Sequence, residues 1–440
     1  MTQRYLDQHA RFVAANSGAP DWVTRARRAG IERFAALGFP TTKDEDWHFT
    51  SPAPIAEAEF TFDSNGASRT AAADVEPFRF GDAGWVTMVF VNGRLQQDLS
   101  MLSGLGPGVT LLPLSAASAV PELDKRVGSV LSDQPTFTAL NTAFMPDGAA
   151  LHVIRDVKVR VPVHLVFIVD SLGADRVVYP RNLLVLERGA QATVVESYIG
   201  LTDARYFTNA VTEVSLGDGA TLNHIKVQRE SRRAYHVGTT EAIQGRDSHF
   251  VSFSFAIGGA LTRTNIHTKL DGPGCGATLN GLYMLDGEQH CDHQTKIEHV
   301  APNCFSREVY KGVLDGKSHG VFNGKVYVHP EAQKTDGKQT NNTLLLSKDA
   351  QMDTKPQLEI FADDVKCTHG ATVGKLDEMA LFYMKSRGVD AEMAKRLLIY
   401  AFAADVLETI ANADVKLALE RDTLARFVAE GREPRGERFA

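Results

Sequence analysis

The sequence predicts a mainly β fold, a β-helix core flanked by an N-terminal α/β part and a C-terminal helical part. Three observations carry that expectation. Short stretches rich in β-branched and aliphatic residues fill the middle of the chain, as at Val157, Val159 and Val161 or at Thr193, Val194 and Val195. Turn signals separate them at intervals of roughly 25 to 40 residues, the spacing of stacked structural repeats. Beyond residue 374 the apolar period lengthens from two to between three and four, the period of helices.

The chain divides into parts at 1–150, 151–373 and 374–440. In the first, the segment from Asp21 runs into Ile31, Phe34, Ala35 and Leu37 at helical spacing, and Gly38, Phe39 and Pro40 stop it. Residues 85–91 read as a strand, with Asn92 and Gly93 as a hairpin-type turn after it. In the second part, turns fall at Gly189-Ala190, Gly219-Ala220, Gly245-Arg246-Asp247, Gly274-Cys275 and Asp315-Gly316. A fresh strand follows most of them, as at Thr221, Leu222 and Asn223 or at Thr278, Leu279 and Asn280. Strands without intervening helices suggest coils whose rungs bury one continuous core. A β-sandwich with regular turns is the alternative, and the repetition favours coils.

In the third part, Leu376, Met379, Ala380 and Tyr383 share a face of a first helix, ended by Arg387 and Gly388. Asp390 caps a second, in which Met393, Leu397, Ala401, Ala404 and Ile410 recur, with Leu398, Phe402 and Val406 widening the stripe. A third carries Val415, Leu417, Leu419 and Leu424. These helices are expected to cap the last rung, and they could also offer an apolar face to a partner.

Composition narrows the function. The formal charge of −7 is spread over mixed acidic and basic residues, which argues against a nucleic-acid binder. No apolar stretch approaches the roughly 20 residues that span a bilayer, so no membrane association is expected. The first residues are broken by Arg4, Asp7, His9 and Arg11, unlike a secretory leader, and a cytoplasmic location is expected. Cys275, Cys291, Cys304 and Cys367 are too scattered for a disulfide framework and form no CxxC pair, so they are expected as free thiols or metal ligands.

Two clusters invite chemistry. His290, Cys291, Asp292 and His293, with His299 beyond, are residue types that bind zinc or iron. On a strand, however, alternation sends His290 and Asp292 one way and Cys291 and His293 the other, which favours a structural reading. Cys367 and His369 are spaced to share one side of an extended segment, and Gly370 lets the backbone turn after them. Thiolate and imidazole make half an iron site, and a cluster takes about four ligands, so a second chain would have to complete it. A buried structural thiol beside a hydrogen-bonded histidine is the alternative. The stretch from Gly312 to Ser318 resembles a phosphate-binding loop, but its glycines are one residue too close and a strand pattern follows, so a turn between rungs is expected. No nucleophile elbow or dinucleotide fingerprint appears, and the chain is not expected to be an enzyme.

Several segments together resemble the SufB/SufD family. They include Gly38-Phe39-Pro40-Thr41 with Glu45-Asp46-Trp47, the blocks Cys304-Phe305-Ser306-Arg307 and Val321-Phe322-Asn323-Gly324-Lys325, and Gln339-Thr340-Asn341-Asn342. The densest match is Lys366-Cys367-Thr368-His369-Gly370 and its neighbours. The likeness spans the chain, its motifs occur in family order, and the length favours the shorter of the family's two branches. The resemblance implies a right-handed parallel β-helix and a scaffold role in iron–sulfur cluster assembly. By the same resemblance, the β-helix pairs with a SufB-like paralogue, and the C-terminal helices dock a SufC-like ABC ATPase. It makes His369 the first candidate ligand of a transient iron–sulfur cluster shared with the paralogue, and Cys367 an interface thiol or second ligand. Leu397 and Phe402 become candidate ATPase contacts, with no nucleotide bound by this chain. The rival readings are a homodimeric structural β-helix protein and a β-helix enzyme acting on polysaccharide.

Overall fold

The computed structural model describes residues 2–428 apart from 17, 63–67, 82–83, 132–133 and 171–174. Among these residues, parallel strands stack coil upon coil into two facing sheets of ten strands each. One sheet runs from Val86–Val91 through Val163–Val169, Gln191–Gly200 and Thr221–Arg229 to Asp336–Leu345 and Lys366–Gly374. The other runs from Ala149–Val153 through Arg181–Leu186 and Tyr206–Leu216 to His319–Val328 and Gln351–Ile360. This is the solenoid that the repetition favoured over a sandwich. The ladder reaches into the N-terminal part, because Val86–Val91 pairs in parallel with Val163–Val169. Asn92 and Gly93, at φ 51° and 79°, then turn the chain back to the short strand Arg94–Leu95.

The coil period is 27 to 31 residues where Thr221, His249, Gly276, Phe305, Asp336 and Lys366 follow one another in register. Each coil supplies two strands of about ten residues, longer than the short strands the sequence suggested. At one corner the turns repeat a single device. A residue in the left-handed region at 189, 219, 247, 274, 303 and 334 donates its amide to a carbonyl of the next coil. The residue after it turns inward, and Ala190, Ala220, Ser248, Cys275, Cys304 and Thr335 form a buried column. Only small side chains fit where the chain bends this tightly. Between the sheets, Leu184, Val194, Val214, Leu222, Phe250, Leu279, Ile297 and Phe322 fill the core. The stretch resembling a phosphate loop ends the strand Phe305–Leu314, turns at Asp315 and Gly316 and enters the strand His319–Val328, as expected of a rung turn.

Helices Thr2–Ala15, Asp21–Leu37 and Thr136–Phe144 bury Tyr5, Phe34, Phe137 and Phe144 with Tyr179 and with Phe207 and Val237 of the second sheet. The Asp21–Leu37 helix stops where Gly38, at φ 65°, returns its amide to the Phe34 carbonyl. The C-terminal helices Glu378–Ser386, Ala391–Leu407 and Ala413–Val428 do not cap the last coil, contrary to the expectation from sequence. The second and third lie along the outer face of the first sheet instead, and the first packs on the second. Ile399, Ala403, Val406 and Val415 pack there on Ile225, Phe253, Leu282 and Val313. The phase of the stripe is also corrected, since Met393 and Leu397 are exposed while the 399/403/406 face is buried. The second helix is apolar nearly all round, so periodicity alone did not select the face that meets the sheet.

Candidate functional site

With the helices on its flank, the solenoid ends in an open coil. Strands of the central coils such as Gly276–Leu285 are largely buried, whereas Gln351–Ile360 is half-buried and Lys366–Gly374 is exposed along most of its length. Among the described residues Lys366–Gly374 is the terminal strand of its sheet, so one row of its amides and carbonyls has no strand there to pair with.

Cys367 and His369 lie on this strand. Register sets Cys367 on Gly337 and His369 on Gln339, and in the preceding strand Gly337, Gln339 and Asn341 are the buried, inward positions. Both side chains therefore occupy inward positions of a coil that none of the described residues covers, on one side of the strand as alternation requires. Cys367 is half-buried against Val326, Val328 and Ala332, and that burial raises its thiol pKa. A Cβ at Gly337 would sit 3.4 Å from the Cys367 sulfur, an ordinary contact distance. His369 is exposed.

Behind His369 runs a polar column that the sequence reading missed. Glu308, Gln339 and His369 are in register on three successive coils. Gln339 Nε2 donates to Glu308 Oε2 at 2.6 Å. Burial pushes the Glu308 carboxyl up to about 7. The coil period was the available signal, because residues 30 and 61 positions before His369 stack beneath it.

The other cysteines are buried. Cys275 and Cys304 belong to the inward corner column, where each thiol donates to backbone carbonyls such as Gly272 O. Cys291 is fully buried with its sulfur 3.8 Å from His293 Nδ1, and burial pushes its thiol pKa up strongly. Of the four, only Cys367 is partly exposed.

The 290–293 cluster divides as alternation predicted, with Cys291 and His293 inward and His290 and Asp292 outward. The outward pair is covered by the N-terminal segment. Thr50 Oγ1 donates to Asp292 at 2.6 Å and lies 2.9 Å from His290 Nε2. Arg263 pairs with Asp292 at 2.7 Å, donates to the Asp46 carbonyl and stacks 3.9 Å from the Trp47 ring. Burial lowers the His290 pKa to about 4, so the imidazole is neutral in this clasp. Glu45-Asp46-Trp47 and the histidine-rich strand are thus two halves of one structural contact.

Of the partner candidates on the second C-terminal helix, Leu397 is 43 % exposed. Phe402 is half-buried, with Lys311 Nζ 4.7 Å from its ring and donating to its carbonyl at 2.9 Å. Met379, Phe382 and Tyr383 on the helix before it are more exposed still. Together they make an apolar surface beside the solenoid.

Cys367 and His369 are two side chains of types that bind iron, where a cluster takes about four ligands. Among the described residues no group of three His, Cys, Asp or Glu side chains is placed to hold a metal.

Comparison with known proteins decides the family. The SufBD protein N-terminal region matches residues 2–165, and the SufBD core domain of SUF system FeS cluster assembly matches residues 167–402. The chain belongs to the SufBD family. The iron–sulfur cluster assembly protein SufD of Escherichia coli (strain K12) is 34% identical over 395 residues, 88% of this chain and 89% of that protein. An iron–sulfur cluster assembly SufBD family protein of Synechocystis sp. is 32% identical over 423 residues, covering 94% and 93%. SufD of Bacillus subtilis (strain 168) is 31% identical over 417 residues, covering 91% and 93%. The boundary between the two SufBD regions falls just before Phe167, inside the strand Val163–Val169, so the family's N-terminal region already contains the first coil strands.

Proposed function

We propose that this chain is a non-catalytic scaffold subunit of a cytoplasmic SUF complex, pairing with a SufB-like paralogue through its open last coil. The observation that carries this reading is that coil itself. It is the end at which the core is left uncovered, and it presents Cys367 and His369 on its inward face. A second solenoid stacked there would cover the core, pair the free strand edge and bring its own ligands to the two side chains. His369 then contributes a ligand to the nascent iron–sulfur cluster, and Cys367 lies beside it as a second ligand or interface thiol. The apolar surface at Leu397, Phe382 and Tyr383 is the docking face for a SufC-like ABC ATPase. Phe402 supports that face from within by holding the helix to Lys311.

Anaerobic purification of the complex from its native cells tests the assignment, with partner chains identified and iron and acid-labile sulfide assayed. His369→Ala is expected to recover both partners with cluster content reduced about tenfold or more, since loss of one of about four ligands leaves an incomplete site. Undiminished cluster in an intact His369→Ala complex would remove the ligand role. Recovery of a homodimer alone, from cells that express the partners, would remove the scaffold role.

A further inference from the structure

Two of the buried polar side chains with an unpartnered atom, Trp22 and Arg27, lie in the N-terminal part on the wall of a cavity. An open cavity of about 370 Å³ lies where the start of the Asp21–Leu37 helix meets the segment that follows the Thr136–Phe144 helix. That volume is at the lower end of the range of small-molecule sites, about 300–1,000 Å³. Trp22, Val23, Leu114 and Met145 give it largely apolar walls.

Arg27 is set into these walls. It is 7 % exposed, and among the described residues it has no ion-pair partner. Its Nη2 donates to the Met145 carbonyl at 3.0 Å, and its guanidinium lies 4.6 Å from the Phe12 ring centroid. Among the same residues its Nε has no hydrogen-bond partner. The Trp22 indole N–H, in the same wall, is likewise buried and unpartnered. Buried arginines are normally paired with a carboxylate, because an uncompensated charge in an apolar setting is costly. Burial without a counter-charge lowers the Arg27 pKa to about 10, still protonated at neutral pH. A second irregularity adjoins it. Met145, which accepts the Arg27 bond, sits at φ 25° and ψ 66°, a region that bulky residues rarely enter and that recurs at ligand sites.

We propose that this cavity binds a small monocarboxylate with an apolar body, whose carboxylate accepts hydrogen bonds from Arg27 and Trp22. Two unused donors beside an uncompensated positive charge match a carboxylate, and the apolar walls take the body. Asp147 lines the same cavity, so a ligand with more than one negative charge, such as phosphate, is disfavoured there. This site is independent of the cluster reading, and its test does not involve cluster assembly.

The full-length protein would be titrated with phenylacetate and hexanoate, each beside its neutral amide, and with inorganic phosphate, by ligand-observed NMR. The expected result is saturable binding of at least one carboxylate, about tenfold or more tighter than its amide, with phosphate failing to displace it. Arg27→Met keeps an unbranched stem of similar length and should bring carboxylate and amide to equal affinity. Trp22→Phe keeps the aromatic wall, removes the N–H and should weaken the carboxylate about threefold or more. Equal binding of carboxylate and amide to the parent protein would overturn the proposal. So would absence of saturable carboxylate binding, displacement by phosphate, or unchanged discrimination in a folded Arg27→Met protein. If Arg27→Met fails to fold, the comparison on the parent and on Trp22→Phe decides.

Discussion

Cys367 and His369 show how a coil gives meaning to single side chains. Two residues apart on a strand, they share a face from local geometry alone. That the face is the inward one, and uncovered, depends on which coil they occupy. The same stacking sets Gln339 and Glu308 behind His369, and Glu308 has a consequence that can be measured. Its carboxyl titrates near 7 in the folded chain against an ordinary 4.5, because burial penalises the charged form. The folded state therefore holds a proton that the unfolded chain has released between those values. The stability tied to that proton is complete below about pH 4.5, falls as pH rises through the window and is lost above about 7. Glu308→Gln, which cannot ionise, should gain up to about 3 kcal/mol relative to the parent on going from pH 4.5 to pH 8. Urea unfolding at the two pH values measures this. A difference between the proteins that is the same at both would mean that Glu308 is not protonated in the fold.

At the scale of elements, the turns carry the register. Gly219 and Gly316 both adopt left-handed φ, 66° and 63°, but they differ in their surroundings. A Cβ on Gly219 would meet nothing within 4 Å, whereas one on Gly316 would lie 2.7 Å from the Gly287 amide nitrogen on the adjacent coil. Gly219→Ala should therefore cost only the conformational penalty, about 1 kcal/mol. Gly316→Ala should cost distinctly more, because two backbones must separate to admit the methyl group. Thermal melts of the two variants test this, and equal costs would show that the contact between turns yields easily. Helices behave differently from turns here. Asp377 and Asp390 cap the first two C-terminal helices through their side chains, so those boundaries are set locally. Which face of the second helix meets the sheet is not local, because both faces are apolar.

For the whole molecule, the placement of those helices matters most. Had they covered the last coil, the strand Lys366–Gly374 would be buried and could pair with nothing. Lying on the flank, they leave the coil open and add an apolar surface beside it. Val373, 46 % exposed on that strand, separates folding from assembly. Val373→Lys should change stability by no more than about 0.5 kcal/mol, as expected of an exposed position. It should weaken association with a SufB-like partner about tenfold or more, because a lysine would be buried on docking without a counter-charge. Melting curves and a binding titration on the same variant test both halves. Full affinity in the variant would place the pairing surface elsewhere.

The sequence by itself determined the repeating coil, the rung turns, the helix after residue 374 and the shared side of Cys367 and His369. Each of these follows from a short-range rule: side-chain alternation, left-handed turn residues, or a capping aspartate. It also separated the two halves of the 290–293 cluster correctly, though not what covers them. Only the tertiary structure decided that Asp46, Trp47 and Thr50 close over Asp292, more than 240 residues away. The same holds for the buried Glu308 beneath His369, the uncompensated Arg27 and the open last coil. All of these depend on which surfaces meet, and a pattern read along the chain records the amphipathic character of a segment without naming its neighbour.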